Sequence, residues 1–313
     1  MKKLFAKAAS VVLLTTALVG CEVVALEGDN VKKSNEIVTK DASELTIGVS
    51  ISTLNNPFFV SVKNGINSVA NEEGSKVKVV DAQDDTAKQS NDIDDLIQQG
   101  VDVLLINPVD SAAIVTSVQL ANSAGIPVIT IDRQSDGGDV LTLVASDNVE
   151  GGKMAAEYIE ELAGKNAKVI ELEGIPGASA TNERGEGFDN YAKDHLNVVN
   201  SQTANFDRAE GLTVMENLLQ ANNGEIDAVF AQNDEMALGA IEAIKAIGKV
   251  GEIVVVGFDG TEDGLNAIKA GAMNATIAQQ PEVMGKLAIQ AAFDYFAGKT
   301  VDKQISSPLE LMK

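Results

Sequence analysis

The 313-residue chain has one cysteine and one histidine, and those two shortages exclude a good deal. A lone thiol cannot form an internal disulfide, and no Cys/His cluster has metal-ligand spacing, so neither a metal site nor a cofactor is expected. His195, in "AKDHLN", sits in a polar stretch at a helix end, which predicts a solvated side chain rather than a general base. Basic residues are also scarce. With 24 Lys and Arg against 46 Asp and Glu the net charge is −22, the wrong sign for a surface that must neutralise phosphates, so nucleic acid is not expected as a partner. No glycine loop matches a dinucleotide or phosphate fingerprint, and "ERGEGF" lacks the preceding strand that such a loop needs. Past the leader no apolar run is long enough to cross a bilayer.

What is present begins with that leader. "MKKLFAK" is basic and "AASVVLLTTALVG" is apolar but short for a span, so residues 1–20 read as a signal peptide. The single cysteine, Cys21, follows directly. "LVGC" resembles the lipobox of bacterial lipoproteins, in which the cysteine becomes the lipid-bearing N-terminus; the alternative is an ordinary cleaved leader with an incidental cysteine. Residues 21–43 mix charges with weak periodicity and read as a flexible tether.

From Leu45 onward strand and helix patterns alternate. The segments "TIGVSI", "KVKVVDA", "DVLLINP", "IPVITID" and "VLTLVASD" read as strands, with helical spacing between the earlier of them. The pattern restarts at "NVEGGKMAAEYIEELAG" and continues with strands "AKVIELEG", "NVVNSQTANF", "IDAVFAQND", "EIVVVGFDG" and "NATIAQQ". Alternation of this kind builds parallel sheets covered by helices, here as two consecutive α/β lobes with a break near Ser146 to Val149. Polar residues gather at one topological place. Ser52, Asn56, Asn107, Asp132 and Arg133 in the first half, and Asn233, Asp259 and Gln279 in the second, fall just past the carboxyl ends of strands, the edge where ligands bind in open parallel sheets. Any one of them could be a turn former or a helix cap. "STLNNPFFVSVKNG" adds two phenylalanines, Phe58 and Phe59, where a small polar loop would be ordinary.

The stretches "VSISTLNNPFF", "LLINPVDS", "PVITIDRQ", "ASDN", "ERGEGF", "FDR", "VFAQNDEMALGA", "VVGFDGT" and "TIAQ" together resemble the D-ribose-binding proteins, the extracytoplasmic sugar receptors of bacterial ABC transporters. The resemblance runs from about Leu45 to the C-terminus. It implies an α/β fold of two Rossmann-like lobes with parallel sheets joined by a three-crossover hinge, the type I periplasmic-binding-protein arrangement. Residues 44–146 and 280–308 then form an N-terminal lobe, and 147–279 and 309–313 a C-terminal lobe. It places the sugar contacts on Ser52, Asn56, Phe58, Phe59, Asn107, Asp132, Arg133, Arg184, Phe206, Asn233, Asp259 and Gln279. The implied partners are D-ribose or a closely related monosaccharide and a permease, with the membrane reached only through a lipid on Cys21 and the protein monomeric. Another pentose or hexose, or a sensory role, is the alternative.

The residue chemistry suits such a ligand without the resemblance. A sugar ring has apolar C–H faces and a polar rim, so Phe58, Phe59 and Phe206 can cover its faces while amides and charges take its hydroxyls. Two carboxylates against two guanidiniums leave the site formally neutral, as suits an uncharged ligand. A glycosidase would use paired carboxylates, but the arginine beside each is expected to keep it ionised, which disfavours a general acid. A sugar-responsive repressor would need a DNA-binding headpiece where this chain has its leader. The expectation is therefore a binding protein and not an enzyme.

Overall fold

In the computed structural model residues 39–313 are described. The signal-peptide and lipid-anchor readings, and most of the 21–43 tether, lie outside the described residues. Where that tether ends the chain is already tied down. The Lys40 amide donates to the Phe296 carbonyl at 3.1 Å, and Ala42–Glu44 form a single 3₁₀ turn.

Each strongly β-branched run becomes a strand. The first half gives β1 (Thr46–Ile51), α1 (Pro57–Glu73), β2 (Lys76–Asp81), α2 (Thr86–Gln98), β3 (Val103–Ile106), α3 (Val115–Ser123), β4 (Val128–Ile131) and β5 (Val140–Ala145). The second gives α4 (Asn148–Ala163), β6 (Lys168–Glu173), α5 (Ser179–His195), β7 (Asn197–Thr203), α6 (Arg208–Ala221), β8 (Ala228–Ala231), α7 (Asp234–Ala246), β9 (Val254–Asp259), α8 (Glu262–Lys269) and β10 (Ala275–Ala278). After them come α9 (Pro281–Phe296), β11 (Gln304–Ser306) and β12 (Glu310–Met312).

The strands form two sheets, ordered β2-β1-β3-β4-β5-β11 and β7-β6-β8-β9-β10-β12. All pairings are parallel except β10 with β12. Parallel sheets carry helices on both faces, so central strands lose their polar side; every residue of β3, β4 and β8 is buried. The two halves repeat one doubly wound order, and in each the strand order reverses beside the first strand, between β1 and β3 and between β6 and β8. That reversal opens the crevice in which such sheets hold ligands.

The chain passes from one sheet to the other three times: between β5 and α4, between β10 and α9, and between β11 and β12. The second passage returns α9 to the first sheet, where Met284, Ala288, Ile289 and Ala292 share a core with Val62, Ile66 and β1. The two helices touch backbone to backbone. A methyl group on Gly65 would lie 2.1 Å from the Glu282 carbonyl oxygen, and one on Gly285 would lie 2.1 Å from that of Val62. The α4–α5 pair repeats the device, with Gly152 against the Arg184 carbonyl at 2.0 Å and Gly187 against that of Val149 at 1.9 Å.

Because the obstructing atom at Gly285 is main chain and cannot rotate away, Gly285→Ala should destabilise the fold by about 1–3 kcal/mol. Lys299→Ala removes only the ion pair to Asp294 and should change stability by less than about 0.5 kcal/mol. Urea unfolding of the two variants beside the parent checks both; equal midpoints would refute the close-packing argument.

Candidate functional site

The two phenylalanines at the end of β1 are placed by a cap. Asn56 precedes α1 with extended backbone, its Oδ1 accepts the Phe58 amide at 2.9 Å, and Pro57 supplies the first helical residue. Helix α1 thus starts with Phe58 and Phe59 at the carboxyl edge of the sheet, their rings edge to face with centroids 5.2 Å apart. Asn233 does the same for α7, accepting the Met236 amide at 2.9 Å, while its Nδ2 donates to the Phe206 carbonyl at 3.1 Å.

Three more candidates adopt a backbone that side chains other than glycine rarely take: Asp132 at φ 64°, Phe206 at φ 58° and Asp259 at φ 115°. Each lies just past a strand or on its last residue. Such conformations persist only where the surroundings impose them, and here they aim two carboxylates and a ring into one space. Gly174 makes room for that ring, since a methyl group there would lie 2.0 Å from Phe206 Cζ.

The space lies between the lobes. Asn56, Phe58, Phe59, Asp132 and Arg133 line it from the first sheet, and Ala180, Arg184, Phe206, Asn233 and Asp259 from the second. The walls are drawn so close that about 10 Å³ remains free, so a ring-sized ligand enters only if they part. Ser52, Asn107 and Gln279 stand outside this lining. Asn107 accepts the Ser52 amide at 3.2 Å and donates to the Ile131 carbonyl at 3.0 Å, tying the ends of β1, β3 and β4 together. Gln279 donates to Asp259 Oδ1 at 2.9 Å. Several buried polar atoms of the candidates have no protein partner: Ser52 Oγ, Asp132 Oδ1, Arg133 Nε and Gln279 Oε1.

The guanidiniums are held by aromatic faces. Arg133 lies 5.3 Å from the ring centroids of both Phe59 and Phe206, one from each lobe, and donates to the Pro108 carbonyl at 3.1 Å. Arg184 stacks 3.8 Å over Phe258, donates from Nη1 to the Gln232 carbonyl at 2.6 Å and from Nε to Asn148 Oδ1 at 2.9 Å. Their carboxylates are near but not hydrogen-bonded: Arg133 Nε to Asp132 is 3.6 Å, and Arg184 Nη1 to Asp259 is 3.6 Å. Here the structure corrects the expectation that the arginines keep both acids ionised. Burial raises Asp132 in spite of Arg133 and Arg184, and pushes Asp259 up to about 8, with Asp234 and Asp132 adding to the rise against Arg184. Burial thus favours the protonated form of Asp259, which can donate to a hydroxyl as well as accept from one.

Sequence reasoning did not single out Asn148, Gln232 or Phe258, although "ASDN" and "GFDG" contain two of them. Nor did it find Glu171, buried in β6, which accepts Gln232 Nε2 at 2.9 Å and Ser201 Oγ at 3.0 Å. His195 stands at the last residue of α5, part-exposed and away from the cavity lining, and it also has a neighbour the sequence did not indicate. Its Nδ1 lies 2.9 Å from Glu160 Oε2 and its ring stacks on Tyr191 at 4.1 Å, because the end of α5 crosses α4 at that point.

The periplasmic binding protein domain family matches residues 47–300. A ribose import binding protein, RbsB, of Bacillus subtilis is 57% identical over 305 residues, covering 97% of this chain and 98% of the relative. That of Haemophilus influenzae is 50% identical over 268 residues, covering 85% of this chain and 91% of the relative. Among solved structures, an ABC transporter solute binding protein of Bacillus halodurans with bound myo-inositol superposes with a TM-score of 0.82 at 35% identity, covering 88% of this chain and 96% of that one.

Three buried acids give the fold a pH dependence. Burial raises Asp234 from 3.8 to about 6, Glu171 from 4.5 to about 7 and Asp259 from 3.8 to about 8. Between those limits the folded chain binds more protons than the unfolded one, so stability is full below about pH 4 for these groups and falls as pH rises to about 8, by at most about 1.4 kcal/mol per pH unit for each. Urea unfolding at pH 5 and pH 8 should show the fall, and Glu171→Gln should flatten it. A profile unchanged in Glu171→Gln refutes the assignment to Glu171.

Proposed function

We propose that this chain, which belongs to the periplasmic binding protein family, captures D-ribose outside the cytoplasm and delivers it to the membrane permease of an ABC importer. The observation that carries the reading is the lining itself: aromatic faces and polar groups from both lobes converge on one enclosed space. Ribose would lie with its C–H faces against Phe58, Phe59 and Phe206, its hydroxyls meeting Asn56, Asp132, Arg133, Arg184, Asn233 and Asp259. Ser52, Asn107 and Gln279 would act from behind, the last by orienting Asp259. The lobes are taken as 44–146 with 280–308 and 147–279 with 309–313.

Sugar held by one lobe gains half of its contacts, and bringing the lobes together completes them. Ligand therefore shifts an open-to-closed equilibrium by its greater affinity for the closed form, and the permease can recognise the loaded protein by shape. Asp132 and Asp259 are a pair of the kind a glycosidase uses, but a free monosaccharide has no glycosidic bond for them to break, so the sugar is expected to leave chemically unchanged. The protein acts as a monomer, held to the membrane by a lipid on Cys21. Among the described residues no helix is long and apolar enough to cross a membrane.

Calorimetric titration against a panel of pentoses and hexoses should give D-ribose the highest affinity at one sugar per chain, and Arg184→Ala should weaken it by roughly 2–4 kcal/mol. A hexose or inositol bound more tightly would replace the ribose assignment. Anchoring has its own check: Cys21→Ala should move the protein from the detergent-extracted membrane fraction to the soluble one with sugar affinity unchanged, and retention in the membrane would discard the lipobox reading.

A further inference from the structure

The orientation of Arg184 is fixed from outside the sugar site. The Phe258 ring, its centroid 3.8 Å from the guanidinium carbon, holds the group in place without fixing the directions of its N–H groups. The Nη1 bond to the Gln232 carbonyl removes part of that freedom, and the Nε bond to Asn148 Oδ1 removes the rest, leaving the remaining N–H groups directed by default. Asn148 is 1% exposed and is the first residue of α4, directly after the first passage between the lobes. Its amide has a donor end and an acceptor end, and only the acceptor end can serve Arg184. Glu183 decides which end that is. Its Oε2 accepts Asn148 Nδ2 at 3.0 Å, so Oδ1 is left facing the guanidinium.

We propose that Asn148, set by Glu183, is a positioning residue of the sugar site: it holds Arg184 in its ligand-facing orientation and ties that orientation to the backbone of the first interlobe passage. Asn148 is not among the residues that line the cavity. It acts on binding through Arg184 alone. Since α4 begins where the chain leaves the first lobe, Asn148 links the Arg184 guanidinium to the start of that helix, beside the main-chain contact between Gly152 and Arg184. The proposal rests on the sugar-binding reading of the cavity, and its test separates the two.

The polarity of the relay can be reversed. In Asn148→Asp the new carboxylate still accepts from Arg184 but faces the Glu183 carboxylate, two like charges at hydrogen-bond distance. Adding Glu183→Gln restores a donor opposite that carboxylate and rebuilds the chain of bonds with donor and acceptor exchanged. With the panel sugar that the parent binds best as titrant, Asn148→Ala and Asn148→Asp should each weaken binding by about 10- to 100-fold. The double variant Asn148→Asp/Glu183→Gln should return to within about threefold of the parent. Recovery shows that the bond to Glu183 sets the amide, and the Arg184 exchange measurement below separates positioning of the arginine from support of the fold. Parental affinity in Asn148→Ala, or a double variant no better than Asn148→Asp, overturns the proposal; if Asn148→Ala does not fold, the exchanged pair decides alone. A sugar-free measurement keeps the proposal apart from the functional reading. The Arg184 Nε–H resonance in ¹⁵N NMR should resist exchange with water in the parent and the double variant and exchange at least about tenfold faster in Asn148→Ala. Should the parent bind no sugar of the panel, the functional reading falls while this measurement still decides the role of Asn148; equal exchange in parent and Asn148→Ala overturns it.

Discussion

A guanidinium taken out of water must be given back what water supplied, and two of them, Arg133 and Arg184, are enclosed between the lobes at 2% and 3% exposure. Much of the surrounding structure follows from that requirement. Three phenylalanine rings lie under or beside them, main-chain carbonyls of Pro108 and Gln232 accept from them, and an aspartate stands within 4 Å of each. None of these groups satisfies the arginines completely. Arg133 Nε has no partner in the protein, and neither has Asp132 Oδ1. The site is thus built with polar capacity to spare, and a polyhydroxylated ring is the kind of molecule that can use it from several directions at once.

The fold supplies the positions for this chemistry through repetition. Both sheets wind in the same order, so both present a carboxyl edge with a reversal of strand order, and the three interlobe passages set those edges face to face. What differs is the load on each edge. The first carries the Phe58–Phe59 pair on a capped helix start; the second carries Phe206 on a strained loop over Gly174. Closely approaching glycine-bearing helix pairs cover both sheets, which lets each edge be rigid while the joint between the lobes remains three single strands of chain.

Strand content was legible in the sequence because β-branched runs between turn residues admit few alternatives. The last two strands were not: "QIS" and "ELM" carry no pattern, and α9 reads as a helix without saying which sheet it covers, since that is decided by Gly65 and Gly285 meeting across more than two hundred residues. For the cavity, the sequence left open whether Asn56 and Asn233 were caps or ligand contacts. The geometry answers that each is a cap and a wall, because the start of a helix at a sheet edge is also the rim of the crevice. The balance between burial and a neighbouring arginine at Asp259 could not be read from adjacency, as it depends on a distance of 3.6 Å and on the exclusion of water. Asn148 and Gln232 escaped notice because amides carry no signature until their partners are known.

The return of α9 and β11 to the first sheet bears on the order in which the chain can fold as it is made. The first half emerges early from the ribosome, yet the face of α1 that holds Val62 and Ile66 has no cover until residues 281–296 arrive, and β5 has no outer neighbour until residue 306. The first lobe, although synthesised first, therefore waits for β11, and the second sheet in turn waits for β12 to pair with β10. Contacts of such separation are slow to form. Neither sheet of a nascent chain of this design can be complete before its residues past 303 have been made.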